Sequence, residues 1–295
     1  MPGSRTDVHA RPIQRKDTIM SAMLRRLVKT AACILFTCAI AFAAWMPSQA
    51  QASAYSDTVD SVLSTWDSAD SSCSGAPQQL ANGTYRMTEL LAVLAYELDS
   101  TGVYGDLIKD SLDTLSSVNA SCTGAPQQAA NGLYRCVELE AIIAYSLDTT
   151  GAYKKAILTA LDGFSSGSAS ASSAPQQQVV GAASAVQLMA IIAMELDTDG
   201  AYSDLILASL DDLATNNDAC NGAPQQLANG LYRLSELSAI VTLELDENGL
   251  YKDVISTSLD TLSSVNASCT GAPQQAVNGA YRCVELMAVM AYAKA

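Results

Sequence analysis

Apolar and small residues along this chain recur at intervals of three and four, not two. Leu80, Gly83, Met87, Leu90 and Leu94 fall on one face of a helix, and the stretch SDLILASLDDLA (203–214) is amphipathic in the same way. No segment sustains the alternation of a half-buried strand. The pattern also repeats. Tyr55, Tyr104, Tyr153, Tyr202 and Tyr251 stand 49 residues apart, and each opens the same unit. A first amphipathic segment is followed by a Ser/Asn/Gly-rich loop, a GAPQQ-type motif, an ANGLYR-type motif and a longer apolar segment. The unit then closes on a D-x-x-G turn.

This organisation predicts an all-α protein of five tandem helix-pair repeats. One pair of helices cannot cover its own apolar faces, so neighbouring pairs must stack to bury a continuous core. Connections as short as DSTG (99–102) make successive helices antiparallel neighbours. The expected architecture is an open α-solenoid, with a closed α/α toroid as the alternative. In helix-pair spacing alone, the chain loosely resembles α/α-toroid repeats. The second helix of a unit starts either at the proline, as at Pro77, or after the Asn82-Gly83 pair, since Asn-Gly is also a turn signal. Gly102, Gly151, Gly200 and Gly249 are placed as helix C-cap glycines.

The units are not equally related. Residues 111–129 and 258–276 are identical, and units one and four share CxGAPQQLANGxYR. The resulting period of 147 residues implies duplication of a three-unit block followed by loss of a sixth unit. Unit three stands apart: SSAPQQQVVGAASAVQL (172–188) lacks the Cys, Asn, Tyr, Arg and Glu of its neighbours.

The N-terminus reads as an export signal. Arg25, Arg26 and Lys29 precede an apolar run from Ala31 to Trp45, and Ala50-Gln51-Ala52 has the small-x-small form of a cleavage site. The apolar run is short of the ~20 residues of a membrane span. Residues 1–52 are therefore expected to be a leader and cleavable signal peptide, and 53–295 a single repeat domain, secreted or periplasmic. The whole chain has a net charge of −14. Residues 53–295 hold nine basic and 28 acidic residues, a net charge of −19. Such a surface repels phosphate backbones and anionic membranes, so no nucleic acid and no stable membrane span are expected. The only histidine, His9, lies in the leader, which removes imidazole bases and imidazole metal ligands from the mature part.

Some repeated residues are candidates for binding. The pairs Gln78-Gln79, Gln127-Gln128, Gln225-Gln226 and Gln274-Gln275 form a polar ladder that persists even in unit three, as Gln176-Gln177. Their amides can bind a sugar or protein surface, or hold neighbouring loops and helix ends, and persistence favours the second role. Tyr85, Tyr134, Tyr232 and Tyr281 each open a Tyr-Arg-x-x-Glu motif. The tyrosines can stack on sugar rings; recurrence in four units points instead to packing between units. Arg and Glu three residues apart share a helix face and can pair.

The turns Asp197-Thr198-Asp199-Gly200 and Asp246-Glu247-Asn248-Gly249 match part of a calcium loop, but a third ligand and the terminal Glu are missing. No metal and no cofactor are expected, and helix capping accounts for these acids. In an exported protein the mature cysteines are expected to form disulfides, with Cys122–Cys136 and Cys269–Cys283 preferred because they pair within a unit. That scheme leaves Cys73 and Cys220 to join each other, to link two chains as a dimer or to stay free; the rival scheme links adjacent units, Cys73–Cys136 and Cys220–Cys283, and leaves Cys122 and Cys269. A helix starting at Pro126 would oppose the preferred scheme, since Cys136 would then lie far along that helix.

The sequence thus predicts an exported, non-enzymatic binding or structural scaffold whose partner is a protein or polysaccharide surface. The alternative is a carbohydrate-active enzyme, a hydrolase or lyase using carboxylates on an α/α toroid. The distinguishing feature would be an Asp or Glu that does not recur by repeat and faces a central cleft. Calcium-dependent adhesion is a third possibility.

Overall fold

The computed structural model describes residues 56–72, 75–121, 123–219, 222–268 and 271–294. All belong to one compact unit, Pro47–Ala295. The expected signal peptide and cleavage site and the cysteines Cys73, Cys122, Cys220 and Cys269 lie outside the described residues. So, therefore, does the proposed dimer link through Cys73 or Cys220.

Among the described residues the chain is all-helical. Short and long helices alternate: α1 (Ser56–Ser72), α2 (Ala76–Leu98), α3 (Gly105–Ser121), α4 (Ala125–Leu147), α5 (Lys154–Ser170), α6 (Ala174–Leu196), α7 (Ser203–Ala219), α8 (Ala223–Leu245), α9 (Lys252–Ser268) and α10 (Ala272–Lys294). The short helices have 17 residues and the long ones 23. Each long helix starts at the alanine before its proline, which falls in the first two helical positions, where a missing N–H costs no hydrogen bond. It then runs straight through Asn-Gly. The choice between the two starting points is settled in favour of the earlier one.

The D-x-x-G turns join each long helix to the next short one. The long helices are capped at their C-termini by Asp99, Asp148, Asp197 and Asp246 and not, as expected, by the glycines three residues on; Gly102, Gly151, Gly200 and Gly249 adopt φ of 65–74°, a left-handed conformation that glycine enters without a Cβ clash. The turn aspartates are buried and cap the helix that follows. Asp246 accepts the N–H of Leu250 at 2.8 Å and that of Tyr251 at 2.9 Å. Asp197 accepts the N–H of Tyr202 at 3.0 Å and the Ser203 hydroxyl at 3.0 Å. These bonds satisfy donors that a helix start leaves open. Asp246→Ala is expected to lower stability by about 1 kcal/mol, read as a fall in melting temperature; an unchanged melting temperature would remove the cap's assigned role.

The long helices carry the core. Leu90, Leu139, Leu188, Leu237 and Leu286 occupy the same position in the five units, and none retains measurable exposure. Packing between long helices runs α2–α4, α4–α6, α6–α8, α8–α10 and then α10–α2. Each short helix lies against the long helix of its own unit and that of the unit before, and α1 lies against both α2 and α10. The first and last units therefore touch, which an open solenoid does not allow. The contact of Trp66 on α1 with Tyr281 on α10, edge to face at 5.1 Å between ring centroids, belongs to this junction.

Glycine lets the long helices approach closely. A Cβ on Gly132 would sit 2.6 Å from Thr84 Oγ1 and 3.0 Å from the Thr84 carbonyl carbon, and one on Gly279 would sit 2.8 Å from Leu231 Cβ. Across the first of these contacts, Thr88 donates its hydroxyl to the Gly132 carbonyl at 3.0 Å; across the second, Ser235 donates to the Gly279 carbonyl at 3.0 Å.

Candidate functional site

The repeated polar residues sit at the joints between helices. The first glutamine of each pair is exposed and the second half-buried. The second reaches back to the preceding short helix: Gln226 donates to the Asn217 carbonyl at 3.2 Å and Gln275 to the Asn266 carbonyl at 3.3 Å. Gln128 makes the same bond to the Asn119 carbonyl at 3.5 Å. These carbonyls lie near helix C-termini, where intrahelical donors run out. The asparagine of Asn-Gly adds a second tie: Asn131 donates to the Leu115 carbonyl and to Asn119 Oδ1, and Asn278 donates to the Leu262 carbonyl and to Asn266 Oδ1.

The Tyr-Arg-x-x-Glu motifs tie successive units. All four Arg–Glu pairs form, within 2.7 Å. Glu138, Glu236 and Glu285 also accept the hydroxyl of a serine on the short helix of the same unit, Ser111, Ser209 and Ser258. Each tyrosine turns to the short helix of the next unit. Tyr85 meets Ser116 and Tyr232 meets Ser263 through their hydroxyls, whereas Tyr134 packs edge to face on Phe164 and Tyr281 on Trp66. In unit three the motif is replaced by Ala183, Ser184 and Gln187, and Gln178 instead bonds the Pro126 carbonyl of unit two at 2.7 Å.

Where units one and two meet, these residues leave a groove of ≈ 360 Å³. It is lined by Gln78, Ala81, Asn82, Tyr85 and Arg86 of α2, Asn119 of α3 and Gln128 of α4. Of the residues nominated from sequence, Gln78, Tyr85 and Gln128 are brought together here. Gln79, Gln127, Gln225, Gln226, Gln274, Gln275, Tyr134, Tyr232 and Tyr281 are not part of it. Within the groove Arg86 stacks on Tyr85, its guanidinium 4.5 Å from the ring centroid, and its charge is matched by Glu89. A second groove, of ≈ 450 Å³, runs over α4 between α3 and α5; it is mostly aliphatic and tyrosine-lined, with Arg135 and Glu138 at its floor.

Glu140 is the residue that sequence reasoning missed. It is wholly buried on α4, and neither carboxylate oxygen has a hydrogen-bond partner among the described residues. Burial pushes its carboxyl well above the usual range. Burial also raises the thiols of Cys136 and Cys283, the latter to about 12, and the charge of Glu140 adds to both shifts. Alignment of the units at 49 residues would have exposed it: the matching residues are Leu91, Met189, Ser238 and Met287, all buried. It is a non-repeating acid, as the enzymatic alternative requires. It lies in closed core, however, and not in a cleft.

The preferred disulfides are not formed. Cys136 and Cys283 are free, buried thiols. Because α4 starts at Ala125, Cys136 sits about 16 Å along it at ~1.5 Å per residue, and Cys283 lies at the same position of α10. Each thiol packs instead against the preceding long helix, Cys136 beside Thr88 at 3.5 Å and Cys283 beside Ser235 at 3.2 Å.

Among the described residues, no three His, Cys, Asp or Glu side chains gather as a metal site. The turn carboxylates do crowd one another in places. Burial first, then the charge of Asp148 and a hydrogen bond with it, raise the Glu195 carboxyl. The chain matches no family model, no curated protein and no solved structure.

Proposed function

We propose that this protein is an exported, non-enzymatic scaffold in which five helix pairs close into an α/α toroid and a partner is held at the joints between units. One observation carries this reading. The repeated Gln, Asn, Arg and Glu residues hold the two helices of one unit together, the repeated tyrosines reach the next unit, and the joint of units one and two presents to solvent a groove built from side chains of three helices. A binding surface assembled from repeats has this form, because its ligand contacts are by-products of the contacts that stack the units. The basic n-region, apolar run and small-residue cleavage site support export, and the charge of −19 outside the leader makes nucleic acid a poor partner.

The test is retention. The secreted, processed protein, immobilised, is expected to hold a partner from the extracellular fraction saturably. Tyr85→Leu and Tyr232→Leu, made separately, should each weaken retention by a few fold without abolishing it. A single substitution that destroys a turnover activity while leaving retention intact would overturn the non-enzymatic reading.

A further inference from the structure

We infer that the groove between α2, α3 and α4 is a binding site for a neutral oligosaccharide; the inference rests on the scaffold reading and names its ligand class. Four carboxamides (Gln78, Asn82, Asn119 and Gln128), one phenol ring and one guanidinium line it, and no carboxylate does. The internal bonds of two of these amides leave opposite polarities side by side. Gln128 directs its Nε2 to the Asn119 carbonyl, so its Oε1 remains an acceptor. Asn119 gives its Oδ1 to Asn131, so its Nδ2 remains a donor. An acceptor and a donor held in fixed positions match a hydroxyl, or two adjacent hydroxyls, each of which both gives and takes a hydrogen bond. Tyr85 adds an aromatic wall whose orientation is set by its contacts with Arg86 and Ser116.

Charge narrows the choice further. The Arg86 guanidinium is held by Glu89 and also donates toward Asn82 Oδ1 at 3.5 Å, so it offers an anion no uncompensated charge. The acidic mature protein repels anions at longer range. A cation would find no lining carboxylate. What fits is an uncharged, polyhydroxylated ligand, and ≈ 360 Å³ falls in the range of small-molecule clefts, ~300–1,000 Å³.

Isothermal titration of the secreted protein with neutral gluco-oligosaccharides, chitin oligomers and oligouronates tests this. A neutral oligomer is expected to bind saturably. Asn119→Asp keeps the acceptor for Asn131 but replaces the donor by a charged oxygen, and should weaken neutral binding about tenfold with a small fall in melting temperature from an acid in the last turn of α3; Tyr85→Leu, which adds no charge, should weaken binding similarly. Tighter binding of oligouronates would overturn the ligand class. Neutral binding that is equal in wild type and both variants would overturn the site. If no oligosaccharide binds while a partner is still retained from the extracellular fraction, the inference fails and the scaffold reading stands. If retention fails as well, both fall.

Discussion

Replacing Glu140 by methionine is expected to stabilise the fold at neutral pH by roughly 1–3 kcal/mol, the cost of a buried polar group left without a partner. Two of the four equivalent positions already carry methionine, at Met189 and Met287, so the side chain suits the site. In the folded chain burial holds the Glu140 carboxyl well above the usual range, while in the unfolded chain it titrates near its ordinary value of about 4.3. A carboxyl raised in this way contributes its full share to stability only below the unfolded value. As pH rises the unfolded state releases its proton first, and stability falls by about 1.4 kcal/mol per pH unit until the folded value is passed. The two buried thiols nearest in charge, Cys136 and Cys283, are themselves raised and stay neutral over this range, so they do not offset the loss. Urea unfolding between about pH 4 and about pH 7 should show stability falling more steeply with pH in the wild type than in Glu140→Met, which keeps the other raised carboxyls, Glu195 among them. Parallel slopes, or a less stable variant at neutral pH, would contradict the assignment.

The second large effect is steric and runs against helix propensity. Alanine normally stabilises a helix interior over glycine by about 1 kcal/mol. Gly163 on α5 has nothing within 4 Å of an added Cβ, so Gly163→Ala should show that gain. Gly132→Ala is expected to do the opposite and cost about 2 kcal/mol, because its methyl would meet the Thr84 side chain at 2.6 Å and the Thr84 backbone at 3.0 Å. Helices α2 and α4 would have to move apart, which also strains the bond from Thr88 to the Gly132 carbonyl. Chemical denaturation of the pair decides the matter. If both alanines stabilise, the close approach is not what fixes glycine at Gly132.

The helix pairs could be read from periodicity and from the 49-residue repeat because both are written in local sequence. The start of the long helices was ambiguous, since Asn82-Gly83 looks the same whether glycine serves a turn or a close neighbour. That neighbour is another unit, invisible in a local window. The disulfide expectation failed at this same point, since the early helix start carries Cys136 deep along α4, where it is a free, buried thiol. Closure was also illegible: it depends on a small rotation added at every joint, and no residue encodes it. Trp66 against Tyr281 and Gly83 against Ala280 lie at the closing contact, and neither pair announces it in the sequence. In the polar groove, Tyr85 and Gln128 were nominated from repetition, whereas Asn119 was not, because it comes from a short helix whose tip only the fold brings there. Glu140 was hidden for the opposite reason, being informative only as an exception within its column.

The contact of α10 with α2 has a consequence for descent. An open array can gain or lose a unit at either end and leave the remaining joints as they were. Once five units meet end to end, each must turn the chain through one fifth of a circle, and every joint depends on the number of units. Removing one unit from such a cycle would force every surviving joint to bend more sharply, so the number of units is held by all the joints together and by no single one of them.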